Sequence, residues 1–336
     1  MGRTLFHLSN RPAPKRLNMQ TNDCDIYRQF AAATPDLPLF MQPWYLDAVC
    51  RGGRWDVALI QKDNRVVAAL PYFLKQKWGR SYISMPPLCK QMGPFILAEF
   101  RTLKWEMRLF DALIDLLPPR LLAFEQNFNY SVQNWLPFYW RGFKQTCLYS
   151  YSLSLLPDEA FIFSQIKKNY RNKIRLAQEK LVVRHDLPLS ELHRMGGLSF
   201  ARQGLESPIS WNLLQDLHAV LAERGRCQLF FAVDPQTEAL HSASLLVWDN
   251  VCAYYLMSGD DPELRASGSQ VLLQWATIQY AKNTVGVPEF DFEGSMIPSI
   301  EQGRRDFGAQ QKTYFRVWKY YAKWWKWAKI LKNGWK

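Results

Sequence analysis

The sequence has no closely spaced cysteine pair, no HxxxH or HExxH spacing and no GxGxxG or Walker-type glycine pattern. It also has no apolar run near the ~20 residues that a membrane-spanning helix needs. Each absence excludes a class of protein. Cys24, Cys50, Cys89, Cys147, Cys227 and Cys252 stand apart among apolar neighbours, which reads as core filling rather than a disulfide framework. The five histidines are scattered as well, so no metal site is expected. Without a glycine fingerprint, neither NAD binding nor P-loop nucleotide hydrolysis has a motif to stand on. The opening MGRTLFHLSNRPAPKR contains no apolar core of a secretory signal, and the chain is expected in the cytoplasm.

What is present is ample core material, at 48% hydrophobic and 15% aromatic residues in a chain of 336. That length predicts two domains of roughly 150 residues each. The formal charge of +12 calls for an anionic partner, whether nucleic acid, a phosphorylated ligand or acidic lipid. Much of the excess sits in the helical stretch 159–180 and in the last residues of the chain.

Residues 1–22, with Pro12 and Pro14, read as a flexible arm. A mixed α/β unit is expected over 23–155. It begins with a helix from Ile26 to Ala33 and another that accepts Pro43 in its first turn. WDVALIQ and VVAALPYFL then form a hairpin with a slightly long turn, in which Pro71 marks an edge or bulge. A helix over Leu103–Leu117, a strand LLAFEQ, a short helix over Val132–Trp140 and a long strand over Phe143–Leu155 complete the unit. A second unit over 156–317 starts with one helix, Glu159–Lys180, whose apolar side is Ile166, Tyr170, Ile174 and Ala177 and whose wet side is basic. Helices over Leu189–Gly204 and Trp211–Glu223 follow. The strands CQLFFAV, ALHSASLLVW and VCAYYLMSG come next, then a helix from Ser269 to Ala281, EFDFEG, a last helix before Gly308, and KTYFRVW.

This order, together with MQPWYLDAVC, MPPLCKQMGPF, NFNYSVQNWLPFYWRGFKQ, NYRNKIRLAQEK, RASGSQVLLQWATIQYA and EFDFEGSMI, resembles the GNAT acyltransferase superfamily in its double-domain, FemAB-like branch. The resemblance spans about Phe40 to Val317. It implies tandem GNAT-like domains, with the donor groove in the second. It also implies a donor that is an acyl thioester such as acyl-CoA, or an aminoacyl-tRNA, with an amine as acceptor and no tightly bound cofactor. The glycine-rich pyrophosphate loop of that family is altered here to Arg265, Ala266, Ser267, Gly268 and Ser269.

Several residues could carry chemistry. In the Arg265–Gln270 loop, Gly268 permits a backbone position that a Cβ would obstruct, Ser269 can cap the following helix and Arg265 can grip phosphate. An ordinary strand-to-helix turn would look the same. Glu289, Asp291 and Glu293 alternate in EFDFEG and would share one strand face, where mutual repulsion raises a carboxyl toward a useful general-base range. An exposed acidic face is the plainer account. Of Tyr254 and Tyr255, on opposite faces, one can point into a groove and donate to an oxyanion or a leaving group, with Ser258 as a further donor. Asn127, Tyr130, Ser131, Asn134, Trp135 and Tyr139 form a polar and aromatic connection suited to an acceptor, or equally to an interdomain seam.

Two functional readings follow. One is acyl or aminoacyl transfer to an amine. The other is a protein that binds tRNA, other nucleic acid or a protein partner through degenerate transferase domains. Residues 318–336 contain no acid and predict a basic amphipathic helix, with Tyr320, Tyr321, Trp324, Trp327, Ala328, Leu331 and Trp335 on one side and lysines around the rest. Such a helix docks peripherally on the inner face of a membrane, on a partner, or on the protein's own surface.

Overall fold

The computed structural model describes residues 23–202, 204–294, 296–322 and 324–325, so the expected arm at 1–22 lies outside the described residues. In the first half, α1 (Asp23–Ala32) and α2 (Pro43–Val49) precede β1 (Arg54–Lys62), β2 (Arg65–Lys77), β3 (Arg80–Ser84) and β4 (Phe95–Ile96). Next come α3 (Leu103–Asp115), β5 (Ala123–Asn127), α4 (Leu136–Trp140) and β6 (Lys144–Ser154). The second half holds α5 (Glu159–Gln165), α6 (Lys168–Gln178), β7 (Val182–Arg184), α7 (Leu189–Ala201) and α8 (Trp211–Glu223). It continues with β8 (Cys227–Val233), β9 (Leu240–Trp248), β10 (Cys252–Asp260), α9 (Ser269–Tyr280), β11 (Glu289–Asp291), α10 (Pro298–Asp306) and β12 (Gln310–Tyr320). Among the described residues, no helix is long and apolar enough to cross a membrane.

The architecture is mixed α/β with two sheets. The smaller runs β1-β2-β3, with β4 also on β2; the larger runs β5-β12-β6-β11-β10-β9-β8-β7. β12 inserts between β5 and β6, with Thr313 opposite Tyr149 and Val317 opposite Gln126, so a strand from the end of the described chain ties the two halves together. One apolar core is shared across the halves: Phe40, Tyr45 and Leu46 pack with Leu217, Phe231 and Tyr254. A second core lies between α6, α9 and the large sheet, around Ile174, Leu273 and Phe290.

Four local expectations need correction. The β1–β2 turn is tight, with Lys62 opposite Arg65 and both Asp63 (φ 52°) and Asn64 (φ 60°) left-handed, as a two-residue hairpin requires. β2 is central, and Pro71 is accommodated because β4 pairs Ala68 and Ala69 while β3 pairs only from Phe73 onward, leaving a gap at the proline. The single helix expected over 159–180 breaks at Ile166 (ψ 134°) and Lys167 (ψ 139°). The Lys167 amide donates there to the Asp306 carbonyl at 2.8 Å, a long-range bond that no local pattern announces. Finally, the basic helix expected from residue 318 does not begin there, because Trp318, Lys319 and Tyr320 belong to β12, paired with β5. Trp325 is buried against Tyr82, with ring centroids 4.8 Å apart, whereas Trp324 is exposed. Most of the expected tail, residues 326–336, lies outside the described residues.

Candidate functional site

The site grows out of the parallel pair β10–β11. Cys252, Ala253 and Tyr254 lie opposite Glu289, Phe290 and Asp291, and the pairing stops there. β10 continues to Asp260, displaced by a bulge between Tyr255 and Met257, while the chain after Asp291 turns away. The two strands therefore splay, and the residues just past the last pair face the opening.

At its apex Asp291, 2% exposed, accepts hydrogen bonds on Oδ1 from the Ser150 hydroxyl at 2.6 Å and from the Glu293 amide at 2.7 Å. The second bond closes an Asx turn that holds Glu293 at φ 52°, a left-handed conformation costly for a residue that carries a Cβ. Gly294 follows because its backbone crosses β6: a Cβ there would collide with the Tyr149 carbonyl and the Ser150 Cα. Its amide donates to the Ser150 hydroxyl at 3.2 Å. The expected three-carboxylate strand face thus ends at Asp291, and Glu293 is presented by a turn.

Glu293 Oε1 is sealed from solvent and has no hydrogen-bond partner among the described residues. Burial pushes its carboxyl up to about 8, a rise that Lys90 and Arg304 oppose and Asp291 reinforces. Burial also raises Asp291, to about 6, against the lowering effect of its hydrogen bonds to Ser150 and the Glu293 amide. Glu289 is different, being paired with Lys312.

Tyr254 and Tyr255 part company as alternation demands. Tyr254 faces the shared core, where its hydroxyl donates to Asp249 Oδ2 at 3.1 Å; the same oxygen accepts the Leu39 amide at 3.0 Å. Tyr255 lies on the splay side, its ring 5.5 Å from the Arg304 guanidinium and its hydroxyl 3.4 Å from Gln270 Oε1. Ser258 lies three residues further along β10.

The Arg265–Gln270 turn is largely self-satisfied. Arg265 pairs with Asp260 at 2.5 Å, the Ser267 hydroxyl donates to the Leu264 carbonyl at 2.7 Å, and Gln270 Nε2 donates to the Gly259 carbonyl at 2.8 Å. Gly268 (φ 77°) caps α9, and its bare Cα faces α6, where a Cβ would lie 3.4 Å from the Lys173 carbonyl. Ser269 Oγ is buried and unpartnered, and the Ser269 amide is capped instead by Ser267 Oγ at 3.3 Å.

Of the first-half residues, Tyr130 reaches the splay: Lys312 Nζ lies 4.6 Å from its ring, and burial raises its phenol, with Cys252 and Asp291 adding to the effect. Asn127 donates to the Lys90 carbonyl at 3.1 Å, and Ser131 is exposed. Asn134 contacts Met107 of α3, and Trp135 and Tyr139 pack on each other 5.5 Å apart, so this trio groups around α3 and α4 instead. Sequence reasoning passed over Ser150, Lys90, Lys312 and Arg304. Only their long-range contacts mark them, since each stands in a segment where similar residues are exposed.

Residues 164–307 match the model of the "Acetyltransferase (GNAT) domain", a segment short of half the chain. No curated protein sequence matches the chain. Among solved structures the fold is similar to FemX, at a TM-score of 0.66 and 12% identity over 88% of this chain and 96% of that one. It is also similar to a tandem GNAT protein from the clavulanic acid biosynthesis pathway, at 0.53 and 14% over 88% and 94%. L-PGS from Bacillus licheniformis gives 0.52 and 10% over 94% and 97%. The chain has the fold of the GNAT acetyltransferase superfamily, in an arrangement consistent with tandem GNAT domains.

Proposed function

We propose that the protein transfers an acyl or aminoacyl group from a thioester or an aminoacyl-tRNA to an amine, with Glu293 as the general base. The observation that carries this reading is Glu293 at the point where β10 and β11 separate, its Oε1 sealed from solvent and without a hydrogen-bond partner among the described residues. A carboxyl raised to about 8 is matched to an ammonium proton at neutral to mildly alkaline pH. In the reaction the amine nitrogen bonds to the acyl carbonyl carbon, Glu293 takes the nitrogen's proton, and the tetrahedral intermediate expels the thiolate or ribose oxygen. Tyr255 supplies a hydroxyl for the leaving group, and Asp291 is a positioning residue that holds the Glu293 turn. The anionic donor is assigned to the N-terminus of α9 at Gly268 and Ser269, where it would take the place of the Ser267 hydroxyl on the Ser269 amide.

The test is the rate of amine acylation across pH with acyl-CoA and aminoacyl-tRNA donors. Glu293→Gln should lose the ascending limb while keeping donor affinity; a wild-type profile in this variant removes Glu293 from the chemistry.

The basic aromatic end of the chain supports peripheral contact with an anionic membrane as a second reading. Trp78, 72% exposed at the β2–β3 turn, packs at a tilt against exposed Trp324 at 5.1 Å, with Lys77 Nζ 4.6 Å from its ring. This places two solvent-facing indoles and a lysine together, the combination that settles at a headgroup layer.

A further inference from the structure

Arg304, on α10, is a partly buried cation with no ion-pair partner among the described residues. Its guanidinium lies between two aromatic faces, 5.5 Å from the Tyr255 ring and 5.3 Å from that of Phe292. Nε is sealed from solvent and unpartnered, and no carboxylate pairs with this guanidinium among the described residues. Its neighbours behave otherwise: Arg305 pairs with Glu301 at 3.2 Å, and Lys167 with Asp306 at 3.3 Å. Asp291 and Glu293 are close enough to act on it electrostatically, yet neither carboxylate forms an ion pair with it among the described residues. A desolvated charge without a hydrogen-bonded partner is unfavourable, a penalty that an incoming anion reduces.

A second donor stands beside it. The Tyr170 hydroxyl, from α6, lies 3.4 Å from where a Cβ on Gly303 would sit, and Lys173 Nζ stands 5.4 Å from the Tyr170 ring. The basic helix α6 and Arg304 of α10 therefore meet on one side of the splay. Arg304 as a whole is only partly buried, while its Nε is sealed.

We propose that Arg304, assisted by Tyr170, holds an anionic group of the substrate, a carboxylate or a phosphate, beside Glu293. The planar fork suits either anion through two parallel N–H donors, and the two aromatic faces fix its plane. The assignment extends the transfer reading to the substrate's chemistry, but it is tested by binding alone, so the two can fail separately. Inorganic phosphate and acetate are titrated calorimetrically into the full chain at constant ionic strength and pH 7. Saturable binding of either anion is expected, and the anion that binds more tightly identifies the group. Arg304→Gln should weaken it by about tenfold or more, as expected for loss of a charged hydrogen-bond donor. Arg304→Lys, which keeps the charge but not the fork, should show an intermediate loss and serves as the readout if the glutamine variant does not fold. Arg305→Gln should bind as wild type, and Glu293→Gln should bind phosphate or acetate even if it has lost turnover. Absence of saturable binding of both anions, or equal affinity in wild type and Arg304→Gln, overturns the proposal.

Discussion

Replacing Glu293 with glutamine should make the protein more stable at alkaline pH and leave its acid stability unchanged. At pH well below 4.5 the carboxyl is protonated in the folded and unfolded chain alike. As pH rises, the unfolded chain ionises freely while the folded one holds its proton up to about 8. Stability fully present at low pH is therefore lost progressively across that window. The distance between 4.5 and about 8 corresponds to an upper bound of roughly 5 kcal/mol. For a chain of this size that amounts to a melting-temperature difference on the order of 5–10 °C at pH 9. Glutamine keeps the side-chain volume and cannot ionise. The assay is thermal unfolding followed by circular dichroism from pH 4 to pH 9 on wild type and Glu293→Gln. The two melting curves should coincide near pH 4 and diverge above neutrality, the variant melting higher. Parallel profiles would refute the argument, since they would mean that the carboxyl ionises in the fold as easily as in water. No substrate is needed, so the result stands apart from whether transfer occurs.

Gly294→Ala should lower stability by roughly 3 kcal/mol or more, because the added methyl collides with the β6 backbone at Tyr149 and Ser150, neither of which is a flexible side chain. Chemical denaturation would report it as a lower midpoint at unchanged slope, and a wild-type midpoint would contradict the close crossing. Trp78→Ser should reduce partitioning onto anionic vesicles by about tenfold, as expected for losing one immersed indole, with little change in melting temperature. Equal sedimentation of the two proteins with those vesicles would count against the membrane reading.

Much of the fold is visible in local pattern. The period-3.6 apolar spacing of Leu213, Leu214, Leu217 and Leu221 yields α8 over the predicted span, opened by the Ser210 cap. CQLFFAV is β8 to the residue. The short β7 was missed because three residues carry no readable alternation, and it exists through pairing with β8. α4 begins at Leu136 rather than Val132 because the Asn129 side chain turns the chain at Ser131, and the Val132 amide bonds back to the Asn129 carbonyl.

The candidate site was legible only in part, and the reason is physical. Asp291, Glu293 and Tyr255 could be singled out because alternation in a strand is a local property. Arg304 could not be told from Arg305 beside it in the same helix: one is sandwiched between Tyr255 and Phe292, and the other pairs with Glu301 in solvent. Their sequence context is the same and their surroundings differ. The sequence by itself determined most of the helices and strands and which of their faces are apolar, since these depend on residues a few positions apart; the break at Ile166 and the strand at 318–320 depend on distant partners. The tertiary structure alone decided that β12 threads between β5 and β6, that Ser150 and Asp291 arrest the chain so that Glu293 Oε1 is sealed without a partner, and that Arg304 Nε is sealed between two aromatic rings. Desolvation is set by everything that packs around a group, and those neighbours come from segments that are distant in the chain.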